Sequence, residues 1–214
     1  MKKTLFAATL AAAVSGALAA DVTLYGVADV GLRYTNTKTD GVSTDKLEMM
    51  SGHNAGSRFG LKGSEDLGNG WKAGFLLEGQ YLVDTGALKN AKFFHRQATV
   101  SISGPLGTVY AGRMGTLSSA AGPADLIFAA GDAFDGGDNL IYALSVESRR
   151  DNTLLYVTPA AGGLQGYLQY SFQGGGEENA QSSLNERYMG AGLRWKAGAF
   201  ESALAAVSYT HLRA

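Results

Sequence analysis

Leu164-Gln165-Gly166-Tyr167-Leu168-Gln169-Tyr170-Ser171-Phe172-Gln173 alternates without a break. Leu164, Gly166, Leu168, Tyr170 and Phe172 share one face, and Gln165, Tyr167, Gln169, Ser171 and Gln173 share the other. A period of two is the signature of an extended strand with one apolar and one polar side. The pattern recurs. Trp71, Ala73, Phe75 and Leu77 oppose Lys72, Gly74, Leu76, Glu78 and Gln80; Met189, Ala191, Leu193 and Trp195 oppose Tyr188, Gly190, Gly192, Arg194 and Lys196. Near the start, Val22, Leu24, Gly26, Ala28, Val30 and Leu32 oppose Asp29 and Arg33.

A half-buried strand of a soluble sandwich alternates in the same way, so length and context decide. Crossing a hydrocarbon core on a tilted strand takes roughly 9 to 11 residues, against about 5 to 6 for an average soluble strand. Several of these runs reach the longer value. Aromatic residues sit at their ends, as in Tyr34, Trp71, Tyr81, Phe94, Tyr110, Tyr156, Phe172 and Trp195, where interfacial girdles lie in membrane barrels. The N-terminus agrees. Lys2 and Lys3 precede an apolar run and small residues ending Ala17-Leu18-Ala19, the layout of a cleaved signal peptide over 1–19, with cleavage after Ala20 as the alternative. The run is too short and Ala-rich for a spanning helix, which needs about 20 apolar residues. Mean hydropathy near zero is compatible with a membrane protein whose apolar side chains are hidden by alternation. The expected fold is all-β, an antiparallel transmembrane β-barrel.

Composition narrows the function classes. The chain has no cysteine, so disulfide frameworks and thiolate metal sites are excluded. Loss of Lys2 and Lys3 with the leader takes the basic count from 18 to 16 against 19 acidic residues, a net charge of about −3 that speaks against nucleic acid as a partner. His53, His95 and His211 are widely spaced, no HExxH pair or nucleophile elbow is present, and the Gly174-Gly175-Gly176 run lacks the strand-to-helix setting of a phosphate loop. Asp132, Asp135 and Asp138 do not form an EF-hand. The reading is therefore non-enzymatic, with no cofactor or metal.

Strands are expected at 22–35, 54–65, 71–82, 93–103, 107–113, 152–158, 164–172, 187–196 and, from a weaker pattern, 199–209. The intervals between them alternate. Short turns are Asp66-Leu67-Gly68-Asn69-Gly70, Gly104-Pro105-Leu106, Pro159-Ala160-Ala161-Gly162-Gly163 and Ala197-Gly198; long loops cover 36–53, 83–92, 114–151 and 174–186. Bacterial barrels have such short turns on one side and long loops on the other. The third loop is the longest, and connections above about 12 to 15 residues are usually functional. It carries Leu126-Ile127-Phe128 and Phe134, apolar residues that need a surface to pack on.

Five ordered blocks then carry a family resemblance. They are Asp21-Val22-Thr23-Leu24-Tyr25-Gly26-Val27-Ala28-Asp29, Ser57-Arg58-Phe59-Gly60-Leu61-Lys62-Gly63-Ser64-Glu65-Asp66-Leu67-Gly68, Ala73-Gly74-Phe75-Leu76-Leu77-Glu78, Gly107-Thr108-Val109-Tyr110-Ala111-Gly112-Arg113 and Arg149-Arg150-Asp151-Asn152-Thr153-Leu154-Leu155-Tyr156-Val157-Thr158-Pro159. The chain resembles the trimeric general porins of Gram-negative bacteria, in their beta-proteobacterial branch. The resemblance implies a sixteen-stranded barrel in the outer membrane, surrounded by lipid and assembled as a homotrimer, with the third loop folded inward to narrow a water-filled pore. Only eight or nine strands are counted here, so the chain reads as the N-terminal half of such a barrel (20–207), with 208–214 an atypical tail and possible artefact. A complete eight-stranded barrel is the alternative, but a third loop this long could not fold into an interior that side chains alone fill.

By resemblance, the basic wall of the pore falls on Arg58, Arg96 and Arg149, and the acidic side on Glu78 and Asp125. The residues themselves support part of this. Arg58 and Lys62 lie opposite Phe59 and Leu61, and Glu78 opposite Phe75 and Leu77, so all three point to water. Arg96 shares parity with Ala98, Val100 and Ile102, which argues against it and leaves an interfacial arginine as the other reading. Arg149 and Arg150 both sit at the return of the long loop, and either fits the wall. Arg113 reads as structural. The expected function is passive diffusion of small hydrophilic solutes and ions with a weak anion preference. The alternatives are a non-conducting outer-membrane anchor or adhesin barrel and a secreted soluble β-protein.

Overall fold

A computed structural model describes residues 21–119, 122–124, 126 and 149–210. The expected signal peptide, Asp125, Ile127, Phe128, Phe134 and residues 211–214 lie outside the described residues. Eleven strands run in chain order: β1 (Asp21–Val27), β2 (Val30–Thr39), β3 (Val42–Ser51), β4 (Arg58–Gly68), β5 (Trp71–Gln80), β6 (Gln97–Gly104), β7 (Gly107–Gly115), β8 (Arg149–Val157), β9 (Leu164–Ser171), β10 (Arg187–Ala197) and β11 (Phe200–Thr210). Nine form one antiparallel sheet in the order β1-β4-β5-β6-β7-β8-β9-β10-β11, and β2 pairs with β3. From β4 onward each strand pairs with the next in sequence, the meander of an up-and-down barrel wall.

The sheet is inside out by the standard of a soluble protein. Following the register, Val22, Gly63, Phe75, Val100, Ala111, Leu154, Tyr170, Met189 and Ser208 form one row. Val22, Val100, Leu154 and Met189 in this row are open to the surroundings, Val100 by 61% and Met189 by 58%. The next row reads Thr23, Lys62, Leu76, Thr99, Gly112, Thr153, Ser171, Tyr188 and Tyr209 and points the other way. Here Thr153 and Ser171 are buried, at 2% and 0% exposed. A soluble sandwich would bury the first row against a second sheet. An outward apolar face and an inward polar one suit a wall standing in lipid.

Where the expected strands and the observed ones differ, the reasons are local. Residues 36–53 are not a loop. They carry the outer parts of β2 and β3, a ten-pair ladder from Val30↔Ser51 to Thr39↔Val42. Asp40 and Gly41 close it with φ of 52° and 82°, the two positive values of a tight hairpin turn that the Asp-Gly pair favours. Arg33 pairs with Glu48 across it, Lys46 pairs with Glu48 along β3, and Asp45 accepts from Tyr34 Oη and Asn36 Nδ2. β1 and β2 are two parts of one arm, broken at Ala28 and Asp29. The Asp29 carboxylate accepts the backbone N–H groups of His53 (2.8 Å), Asn54 (3.2 Å) and Ala55 (2.9 Å), which fixes the matching break between β3 and β4.

β6 begins at Gln97 rather than at 93, because Phe93 and Phe94 pack edge to face in the preceding connection. β8 begins at Arg149 rather than at 152, pairing Arg149 with Gly115 and Arg150 with Met114 before a register shift next to Asn152, whose φ is 49°. β11 continues through Ser208, Tyr209 and Thr210, which pair with Met189, Tyr188 and Arg187, three residues beyond the expected end of the barrel segment.

The buried apolar cluster lies on the inward face. Met114, Leu117, Ala124 and Leu126 pack with Leu155, Val157 and Tyr167. Leu155 and Val157 are apolar residues in otherwise polar inward positions, and the chain leaving β7 covers them. Leu126 thus finds the packing surface that its place in a long polar connection required.

Candidate functional site: a basic cluster on the inward wall

Strand parity brings Tyr25, Gly60 and Glu78 into one inward row, with Gln97 next to Glu78. Gly60 is required there. A Cβ at this position would overlap the Tyr25 ring, which lies across the glycine to reach Glu78. Tyr25 Oη donates to Glu78 Oε2 at 2.8 Å.

Glu78 is the centre of the site. Arg96 Nε donates to its Oε1 at 2.6 Å, and Arg58 Nε stands 3.8 Å from its Oε2. Arg96 also reaches Gln80 Oε1 at 3.3 Å. Arg149 Nε donates to the backbone carbonyl of Arg96 at 2.8 Å, which joins β8 to the same cluster. Further along, Lys62 Nζ lies 5.5 Å from the centre of the Tyr25 ring, a cation–π arrangement. Two guanidiniums therefore meet the Glu78 carboxylate, with Arg149 tied to the backbone of one of them and Lys62 over the tyrosine that caps it.

The inclusion of Arg96 corrects the parity argument. Arg96 precedes the first residue of β6, so the alternation of that strand does not bind its side chain, and its N–H pairs with the Glu78 carbonyl at 3.2 Å. Arg150 is elsewhere. It is 2% exposed, its guanidinium lies 5.9 Å from the Tyr188 ring and 5.4 Å from the Tyr209 ring, and Nη2 donates to Glu186 O. Of the two adjacent arginines, Arg149 joins the cluster and Arg150 packs in the wall. Arg113, read as structural, donates through Nε to His95 O at 2.7 Å and through Nη1 to Asp151 at 2.6 Å, with Lys92 on the other carboxylate oxygen.

Sequence reasoning missed Tyr25, Gln80, Gln169 and His95. Tyr25 lies within the first resemblance block, and only the register between β1, β4 and β5 shows that it shares a row with Glu78. His95 is buried at the cluster's edge, and its Nδ1 has no hydrogen-bond partner among the described residues. Burial, reinforced by the guanidiniums of Arg149, Arg96 and Arg113, pushes its pKa down from 6.5 to about 4, so the ring is neutral at physiological pH.

Comparison with known proteins agrees with the architecture. A profile of the Gram-negative porin family matches residues 7–212. An outer membrane porin protein of Bordetella pertussis is 33% identical over the whole chain, which covers 60% of that protein. Outer membrane porin protein 32 of Delftia acidovorans is 33% identical over 95% of the chain and 59% of its own length. Among solved structures, the anion-selective porin from Comamonas acidovorans superposes with a TM-score of 0.63 at 32% identity, over 88% of this chain and 57% of that one. The chain thus spans about three fifths of the length of these relatives. An antiparallel wall with its apolar face outward, an arginine cluster on its inward face and a family match over nearly the whole sequence lead to one assignment: the chain belongs to the Gram-negative porins, proteins of the bacterial outer membrane.

Proposed function

We propose that this wall belongs to a water-filled channel, assembled as a homotrimer, through which small hydrophilic solutes and ions diffuse passively with a weak preference for anions. The chain between β7 and β8 narrows the passage, and no catalytic step is involved. The observation that carries the reading is the charge imbalance at the cluster, where Arg58 and Arg96 pair with Glu78 and Arg149 joins them through the Arg96 carbonyl. Fixed charges act strongly on an ion passing through a narrow aqueous pore with low-dielectric walls. The local sign prevails over the chain's net negative charge, because charges beyond a Debye length of about 8 Å are largely screened at physiological salt. Asp125, expected on the opposite side, would offset part of this excess. The likeness to the anion-selective porin from Comamonas acidovorans points the same way.

The test is the reversal potential across a salt gradient in a planar bilayer. The unmodified protein should favour anions. Arg58→Glu and Arg149→Glu should each move the potential toward cation preference, and the shift should shrink in concentrated salt. An unmoved potential in both variants would remove these residues from the narrowest part of the passage. Absence of conductance steps would favour the anchor reading instead.

A further inference from the structure

We propose that Gln169 on β9 and Tyr188 on β10 are positioning residues that hold the chain leaving β7 against the inner wall. The proposal rests on the reading above that a passage runs beside this segment, and it adds what fixes the segment's position. β7 ends at Gly115, where the chain leaves the sheet and loses its ladder partners. Gln169 replaces them. Its Nε2 donates to Gly115 O at 2.8 Å and its Oε1 accepts the Leu117 N–H at 2.9 Å, while Tyr188 Oη lies 3.0 Å from the same N–H. The primary amide offers a donor and an acceptor from one planar group, whereas an ionised Glu only accepts and Leu does neither.

Two glycines complete the seat. A Cβ on Gly190 would stand 3.0 Å from Leu117 Cδ1, and one on Gly192 would stand 2.5 Å from Leu126 Cδ1. The two glycines leave room on β10 for those leucines, and for the Tyr188 hydroxyl, which lies over Gly190. Leu117 and Ser119 are fully shielded as a result, at 0% and 1% exposed.

The chain has no cysteine, so Ser119→Cys provides a single reporter thiol. In protein folded in outer membranes and extracted in detergent, this thiol should react slowly with a charged, water-soluble thiol reagent. Adding Gln169→Leu should speed labelling about tenfold, the scale set by losing buried hydrogen bonds. Gln169→Glu keeps the acceptor but sets a carboxylate against the Gly115 carbonyl, and should fall between. Gly192→Leu wedges Leu126 away without touching a hydrogen bond and should also raise the rate. A reporter thiol that stays equally protected in Gln169→Leu and Gly192→Leu would overturn the proposal. Faster labelling with unchanged single-channel conductance would uphold the clamp and overturn the reading that a passage runs beside it.

Discussion

Replacing Glu78 by Gln removes the carboxylate at the centre of the basic cluster while keeping its shape. The side chain receives Arg96 Nε at 2.6 Å and Tyr25 Oη at 2.8 Å, with Arg58 at 3.8 Å. For a permeating ion passing about 6 Å away in water-like surroundings, one unit charge amounts to roughly 0.7 kcal/mol, of opposite sign for an anion and a cation, so the anion-to-cation permeability ratio changes by about 1.4 kcal/mol, about tenfold. Glu78→Gln should therefore raise anion preference about tenfold, and Arg96→Gln should lower it by a similar factor. The structural cost is a separate quantity. Glu78 is only 15% exposed, and losing its charge-assisted hydrogen bonds should lower stability by about 1 to 2 kcal/mol, short of a fully buried pair because Arg58 and Arg96 stay partly hydrated. Reversal potentials read the first effect, and the temperature at which the gel migration of the unheated barrel is lost reads the second. In 1 M salt the Debye length falls to about 3 Å and the selectivity change should largely vanish. A Glu78→Gln channel that stays folded but shifts toward cations, or does not shift, would refute the electrostatic account.

Three further outcomes are expected. His95, whose pKa is lowered to about 4, takes up a proton in the unfolded chain before it does so in the folded one, so its contribution to stability is complete above about pH 6.5 and is lost as pH falls toward 4; denaturant unfolding of His95→Gln should be less pH-dependent in that window than that of the parent. Asp29→Ala should free the three backbone N–H groups at 53–55, seen as faster amide exchange there while the strands stay protected. Asp151→Asn should weaken the ties to Lys92, Arg113 and the Gly176 N–H together, and limited proteolysis should then cut within 81–96 or 172–186 more readily.

The alternation of Leu164 to Phe172 and of Met189 to Trp195, with the spacing of turns, is enough to fix an antiparallel barrel wall and its two faces. A period of two leaves little freedom, since a one-residue slip would turn every apolar side chain into the lumen. Arg58, Lys62 and Glu78 are legible for the same reason, because each sits inside a regular strand where parity predicts direction. Arg96 is not, since it lies just before β6 where the backbone is irregular. The Asp40-Gly41 turn is present in the sequence, yet its flanks alternate weakly and resemble a loop. Residue type and position alone do not choose between Arg149 and Arg150. Only the tertiary structure decides it, by placing a register shift next to Asn152 that sends Arg149 to the Arg96 carbonyl and Arg150 over two neighbouring tyrosine rings. The seat for Leu117 and Leu126 is likewise a tertiary fact: Gln169, Gly190 and Gly192 look like ordinary strand residues until the chain from β7 meets them across 50 or more positions of sequence. Alternation is written locally in the chain, whereas contacts between distant segments depend on register, bulges and loop paths that no local pattern encodes.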